Sequence, residues 1–183
     1  MVGDKAGPVQ AVAMRPPSRQ IQSVETAFGR NGWHAEVVEG KDVIRALFSG
    51  HHTRIELIAQ AYPPLNALAI IGEMPLPVDD DHQHAILELL ARANKNLNLG
   101  GFEFDLDRNK LVFRITNLFD KELYDADIVT SLVHCAIAEL DRLAPYATIV
   151  VQTPEDLLDD LDLERLLMRE DLIPPVTGDE DVI

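Results

Sequence analysis

The residues able to do chemistry are few, and their spacing suits none of the common reactions. Six histidines occur: His34, His51, His52, His82, His84 and His134. The densest polar cluster is Asp79-Asp80-Asp81-His82-Gln83-His84. A helical metal pair needs both rings on one face, at i and i+4. His82 and His84 are i and i+2, about 200° apart on a helix. The cluster therefore reads as a solvated helix start whose acids suit the positive helix pole. His51-His52 reads as an exposed turn, and His134 lies off the core face of a later helix. Cys135 is the single cysteine. It falls mid-helix beside His134, without the electropositive setting or helix N-terminus that activates a thiol, so it reads as a packed structural residue. Glu103 and Asp105, at i and i+2 on an expected strand, share a face and are able to bind a cation or exchange protons. The simpler reading sends Phe102 and Phe104 to the core and both acids to water. Neither a phosphate loop ending in Gly-Lys-Ser/Thr nor a G-x-G-x-x-G exists, and Gly100-Gly101 reads as a helix C-cap before a strand. No residue is assigned to catalysis, to a cofactor or to a metal.

Composition narrows the remaining classes. The chain has 183 residues, 16 Lys and Arg against 31 Asp and Glu, and a net charge of −15. That length suits one domain with extensions. At 46% hydrophobic residues the chain can fill one core. The charge argues against nucleic acid and anionic lipid, which need clustered Lys and Arg. Arg45, Arg54 and Arg114 fall on the wet face of the expected sheet, where Glu36, Glu56 and Glu103 offset them. No signal peptide or membrane-length apolar run is present. One cysteine excludes an internal disulfide and a cysteine-rich zinc site. The expectation is a soluble cytoplasmic protein. Residues 155–183 hold 11 acidic and 2 basic residues, so most of the imbalance sits on the C-terminal end.

The elements that position these residues follow from periodicity. Residues 1–17 read as a flexible leader. A first helix is expected over 18–29, capped by Ser18, with Ile21, Val24 and Phe28 on one face. Strands are expected at 43–48, at 53–61 and at 65–73, with a doubtful one at 33–39. The second alternates Ile55, Leu57, Ala59 and Ala61 against Arg54, Glu56 and Gln60. The third is apolar enough to be covered on both faces. A second helix carries Ile86, Leu90, Ala93 and Leu97, and Gly100-Gly101 ends it. A hairpin follows, 102–105 and 110–117 around the turn 106–109. A third helix runs from 125 to 143, with Pro145 ending it. The final segment, 151–183, is expected to be an acidic helix and disordered tail. There Leu157, Leu158, Leu161 and Met168 form one candidate partner-binding stripe, while Leu163, Leu166 and Leu167 fall on other faces. Short connections between strands imply antiparallel neighbours. The class is α+β, an antiparallel sheet with helices packed on it.

The stretch Ala91-Arg92-Ala93-Asn94-Lys95-Asn96-Leu97-Asn98-Leu99-Gly100-Gly101-Phe102-Glu103-Phe104-Asp105, then Leu111-Val112-Phe113-Arg114-Ile115, resembles the YbjN-like family of bacterial proteins, its cyanobacterial-type members above all. The likeness extends loosely from Val24 to Ile149 and places the domain at 18–150. One departure is the hairpin turn, Asp107-Arg108-Asn109-Lys110 where the family often has Asp-Gly-Glu. The resemblance implies a fold like the type III secretion chaperones, ordered α-βββ(β)-α-ββ-α with a C-terminal helix added. It implies a frequent homodimer, an unnamed protein partner and a role in sensory transduction regulation. It assigns no catalytic residue. Two functions follow: a non-enzymatic protein-binding module, or a small-molecule sensor or enzyme using a pocket between sheet and helices.

Overall fold

The computed structural model describes residues 16–120 and 123–172. Helix α1 spans Arg19–Asn31, and the Ser18 hydroxyl accepts the Ile21 N–H at its start. Gly32 closes it at φ 69°, a left-handed conformation that glycine enters without a Cβ clash. Three strands follow: β1 (Ala35–Val37), β2 (Val43–Ser49) and β3 (Arg54–Tyr62). A 3-10 turn at Pro63–Leu65 leads into β4 (Ala67–Met74). Helix α2 (Gln83–Asn94) then crosses to the hairpin of β5 (Gly101–Asp105) and β6 (Lys110–Leu118). Helix α3 (Ala126–Gln152) follows, and the short α4 (Leu163–Leu167) lies between 3-10 turns at Glu155–Asp160 and Glu170–Leu172.

The strands form one antiparallel sheet in the order β1-β2-β3-β4-β6-β5. The doubtful strand at 33–39 exists, shortened to three exposed edge residues. All helices pack on one face. There Ile55, Leu57 and Ala59 of β3, Leu68 and Ile70 of β4, and Leu111 and Phe113 of β6 meet Val129, Val133, Ala136 and Leu140 of α3. Gly72 permits this approach, because a Cβ there would stand 2.4 Å from the Leu140 side chain. Phe28, Trp33 and Phe48 close one end by edge-to-face stacking. On the same side of the sheet, the Asp141 carboxylate of α3 accepts the backbone N–H groups of His51, His52 and Thr53, which fixes the β2–β3 turn.

Four expectations need correction. Pro145 does not end the third helix, which continues to Gln152 with the proline inside it. Proline forfeits one ladder bond, but Ala144, Tyr146, Ala147 and Val150 beyond it are all buried, and that packing carries the helix onward. Gly100-Gly101 is no helix cap: α2 stops at Asn94, and Gly100 instead enters β5 at φ 70°, where a Cβ would meet the Phe113 ring at 2.6 Å. His82 is not solvated; it is buried. The single acidic C-terminal helix is instead a strap of 3-10 turns around the five residues of α4. The leader at 1–15 and the tail at 173–183 lie outside the described residues. Among the described residues, no helix is long and apolar enough to cross a membrane.

Candidate docking face

The face of the sheet opposite the helices is assembled by register. Cross-strand partners line up in rows, because every second residue of each strand points this way. One row runs Glu36, Arg45, Ile58, Ile71, Arg114 and Gly101. The next runs Leu47, Glu56, Glu73, Val112 and Glu103. On the other side lie Val43, Gln60, Ala69 and Thr116, then Tyr62, Ala67 and Leu118. Ala69, Ile71 and Val112 form a small apolar cluster of their own, with Ile58 and Tyr62 packed against it. No helix covers it. Leu47 and Leu118, 63% and 72% exposed, flank it at opposite corners.

Charged groups surround this apolar centre, and Glu73, Glu103, Asp105, Arg108, Lys110 and Arg114 are paired with one another. Glu56 and Glu73 sit directly opposite across β3 and β4, a repulsive arrangement. Lys110 lies between them, with Nζ 2.7 Å from Glu73 and 3.7 Å from Glu56. Glu73 is buried and also accepts from Arg108. Arg108 Nε donates to Asp105 at 2.8 Å and holds its carboxyl below the usual value of 3.8. Arg114 Nε donates to both Glu103 oxygens, at 2.9 and 3.2 Å. Asn109 takes the positive φ, 51°, that a glycine would take in the turn, and this turn delivers Arg108 to Glu73. The departure from the family's usual turn is therefore built into the face. A depression of about 260 Å³ runs between Ile58, Ile71, Val112 and these charges, and a wider one of about 690 Å³ adjoins it toward β1.

The sequence-level candidates fall elsewhere. Leu158 and Leu161 pack half-buried on the main core, as an i, i+3 pair does on one side of a 3-10 turn. Leu157 and Met168 are exposed, so the four do not form one stripe. Leu163 and Leu166, assigned to other faces, are the strap's buried pair. The Tyr146 hydroxyl donates to the Arg169 carbonyl at 3.1 Å and Arg92 pairs with Glu164, so the strap is tied to α3 and α2. Cys135 is half-buried, and burial together with Glu139 pushes its thiol pKa up. His84 and His34 are exposed. His82 bonds Asp79 through Nδ1 and the Thr153 carbonyl through Nε2, 2.8 Å away. Among the described residues no group of three His, Cys, Asp or Glu side chains is placed to hold a metal ion. Sequence reasoning missed Ile58, Tyr62, Ala69, Ile71 and Val112. The available signal was Ile58 at a position the alternation reserves for polar residues, beside a fourth strand apolar on both faces.

Residues 20–147 match the YbjN family model, described as "putative bacterial sensory transduction regulator". The chain belongs to the YbjN family. No curated protein matches its sequence. Among solved structures, a chain of the ExsC–ExsE complex is 14% identical, with a TM-score of 0.52 over 77% of this chain and 100% of that one. A chain of the HopA1–SchA chaperone–effector complex is 12% identical, with a TM-score of 0.48 over 66% and 88%. The YbjN chain thus has the expected α+β architecture, an antiparallel sheet with helices packed on it, and shares that fold with the chain of the ExsC–ExsE complex.

Proposed function

We propose that this YbjN protein is a non-enzymatic protein-binding module, chaperone-like or regulatory, which holds an extended apolar segment of a protein partner on the open face of its sheet. The exposed Leu47 and Leu118, on either side of the half-buried Ile58 and Tyr62, carry the reading. They lie on the face away from the described helices, around the buried Ala69, Ile71 and Val112, and there Lys110, Arg108 and Arg114 are already paired with Glu73, Asp105 and Glu103. Binding there buries apolar surface without first breaking strong contacts with water. Two further observations support it. The ExsC–ExsE chain of like fold is found in a complex with another protein. The groups best suited to chemistry are committed elsewhere: the Cys135 thiol is held protonated, His82 is bonded at both ring nitrogens, and Asp105 is neutralised by Arg108. A second copy of the chain is the other occupant such a face accepts, which would make the expected homodimer.

The test compares the wild type with Leu47→Asp and Ile58→Arg, which place charge on the face without touching the helix side. Each variant is checked for native size and melting, then used to capture crosslinked partners from lysate of the native organism. The expected result is one or more proteins held by the wild type and lost from both folded variants. Capture unchanged by either substitution removes the open face from the function. Sedimentation of the purified wild type separates the two occupants, since a self-pair broken by the same substitutions needs no lysate.

A further inference from the structure

His82 joins two parts of the chain that are 71 residues apart. It is the residue just before α2, and the carbonyl it bonds belongs to Thr153, the last residue before the strap. The side chain is buried and both ring nitrogens face oxygen atoms, Asp79 Oδ1 and Thr153 O. Both oxygens are acceptors with no proton to give. A neutral imidazole carries one N–H and can satisfy only one of them, leaving a lone pair facing a lone pair at the other. Only the imidazolium donates to both. The negative pole at the C-terminus of the 27-residue α3 favours that cation.

We propose that protonated His82 is a latch holding the C-terminal strap, residues 154–172, down on α2 and α3, and that loss of its proton to solvent loosens the strap. The charged groups acting on the ring are Asp79 and Asp81, both on its own approach to α2. The α3 side presents the uncharged Thr153 carbonyl, and the strap that begins there opens with Glu155-Asp156. All of these oppose deprotonation, in keeping with a His82 pKa raised above 6.5, with Asp79 as the main cause. The sign follows. A group whose pKa is raised by folding holds its full contribution below the unfolded value and loses it as pH climbs through the folded one. The Asp79 side, whose pKa is lowered from 3.8, fails only in acid. The latch is therefore closed below 6.5, as far down as Asp79 stays ionised, and opens as pH climbs through the raised value. What it frees is the end of the strap next to Thr153, where Leu158 and Leu161 pack half-buried on the core. The strap's other ties, Tyr146 to Arg169 and Arg92 to Glu164, do not pass through His82, so the transition is a loosening of one end.

The experiment is hydrogen exchange of the full chain from about pH 5 to about pH 9, corrected for the intrinsic rate, with an NMR titration of the His82 ring. In the wild type, protection of residues 154–172 should fall at the midpoint of the ring titration, above 6.5. The total loss should be about tenfold for each pH unit by which His82 is raised. Asp79→Asn should move both midpoints to lower pH together, and His82→Gln should make strap protection independent of pH. A ring that titrates at or below 6.5 overturns the latch. So does an Asp79→Asn midpoint equal to the wild type, or a His82→Gln strap that keeps the wild-type pH dependence. Should His82→Gln not fold, the wild type and Asp79→Asn decide the matter alone.

Discussion

Along β3, Ile55, Leu57, Ala59 and Ala61 lie under the helices, while Arg54, Glu56, Ile58, Gln60 and Tyr62 face away from them. The two sets alternate on one strand, yet they are held by different forces. The helix side is close-packed carbon, with Leu57, Ile70, Phe113 and Leu140 fully buried. The open side is a thin apolar cluster inside a ring of ion pairs, most of whose side chains remain a third or more exposed. Close packing makes every lost methylene costly. Exposed ion pairs are individually worth little, and their partners can return to water. A substitution under the helices should therefore act through stability, and one on the open face through binding.

The largest expected effect tests the helix side. Leu57→Ala should cost about 3 kcal/mol, the usual sum of lost transfer energy and an unfilled cavity. Leu57 sits opposite Gly72, and neither neighbour has a side chain able to fill the gap. Denaturant unfolding reads this directly, and a loss below about 1 kcal/mol would mean that the sheet is not packed as described.

The next effect concerns the one open-face residue that behaves like core. Glu73 is buried, with two cations upon it. Removing both, in Arg108→Ala with Lys110→Ala, leaves a buried carboxylate unpaired and should cost about 3 kcal/mol. Glu73→Gln leaves two cations that can turn to solvent and should cost about 1 kcal/mol. Equal losses in the two variants would break the assignment. The same substitutions change the acid limb. Asp105, held below 3.8 by Arg108, contributes stability that is whole above 3.8 and is lost as pH falls through the lowered value. Without Arg108 that slope in the stability–pH curve should flatten.

The helix side was legible in the sequence, and the open side only in part. Alternation in residues 54–61 and the i, i+3, i+7 pattern of Ile21, Val24 and Phe28 are local signals, and local signals report the main core. The apolar cluster of the open face combines Ile71 with Ile58 and Val112 from different strands. Single apolar residues among polar ones carry no such information until register lines them up. Pro145 and Gly100 misled for a related reason: each has a strong local preference, and tertiary packing overrode it in α3 and reused it in β5. The strap was misread because six leucines over 157–167, spaced for no single helix, were tested against a helical period. Five of them, all but Leu157, pack wholly or partly buried from a 3-10 segment of period three followed by five residues of α-helix of period 3.6. The His82 contact joins residues 71 positions apart and leaves no trace in spacing.

The smallest effect is the one that separates the two faces best. Glu103 and Arg114 form a well-aligned pair whose side chains are 49% and 38% exposed. A double-mutant cycle on Glu103→Gln and Arg114→Gln should give a coupling of about 0.5 kcal/mol, falling with added salt. Arg114 has a second position to defend: it lies directly across from Ile71, where a long side chain can lay its carbons over the apolar cluster. Arg114→Ala should therefore uncover Ile71 with a stability loss under about 1 kcal/mol, and alter partner capture by far more than it alters folding. If the same substitution instead costs about as much as Leu57→Ala, the cluster belongs to the fold's core. The open face would then offer only its corners, Leu47 and Leu118, and the contrast between the faces would fail at its centre, where it matters most for function.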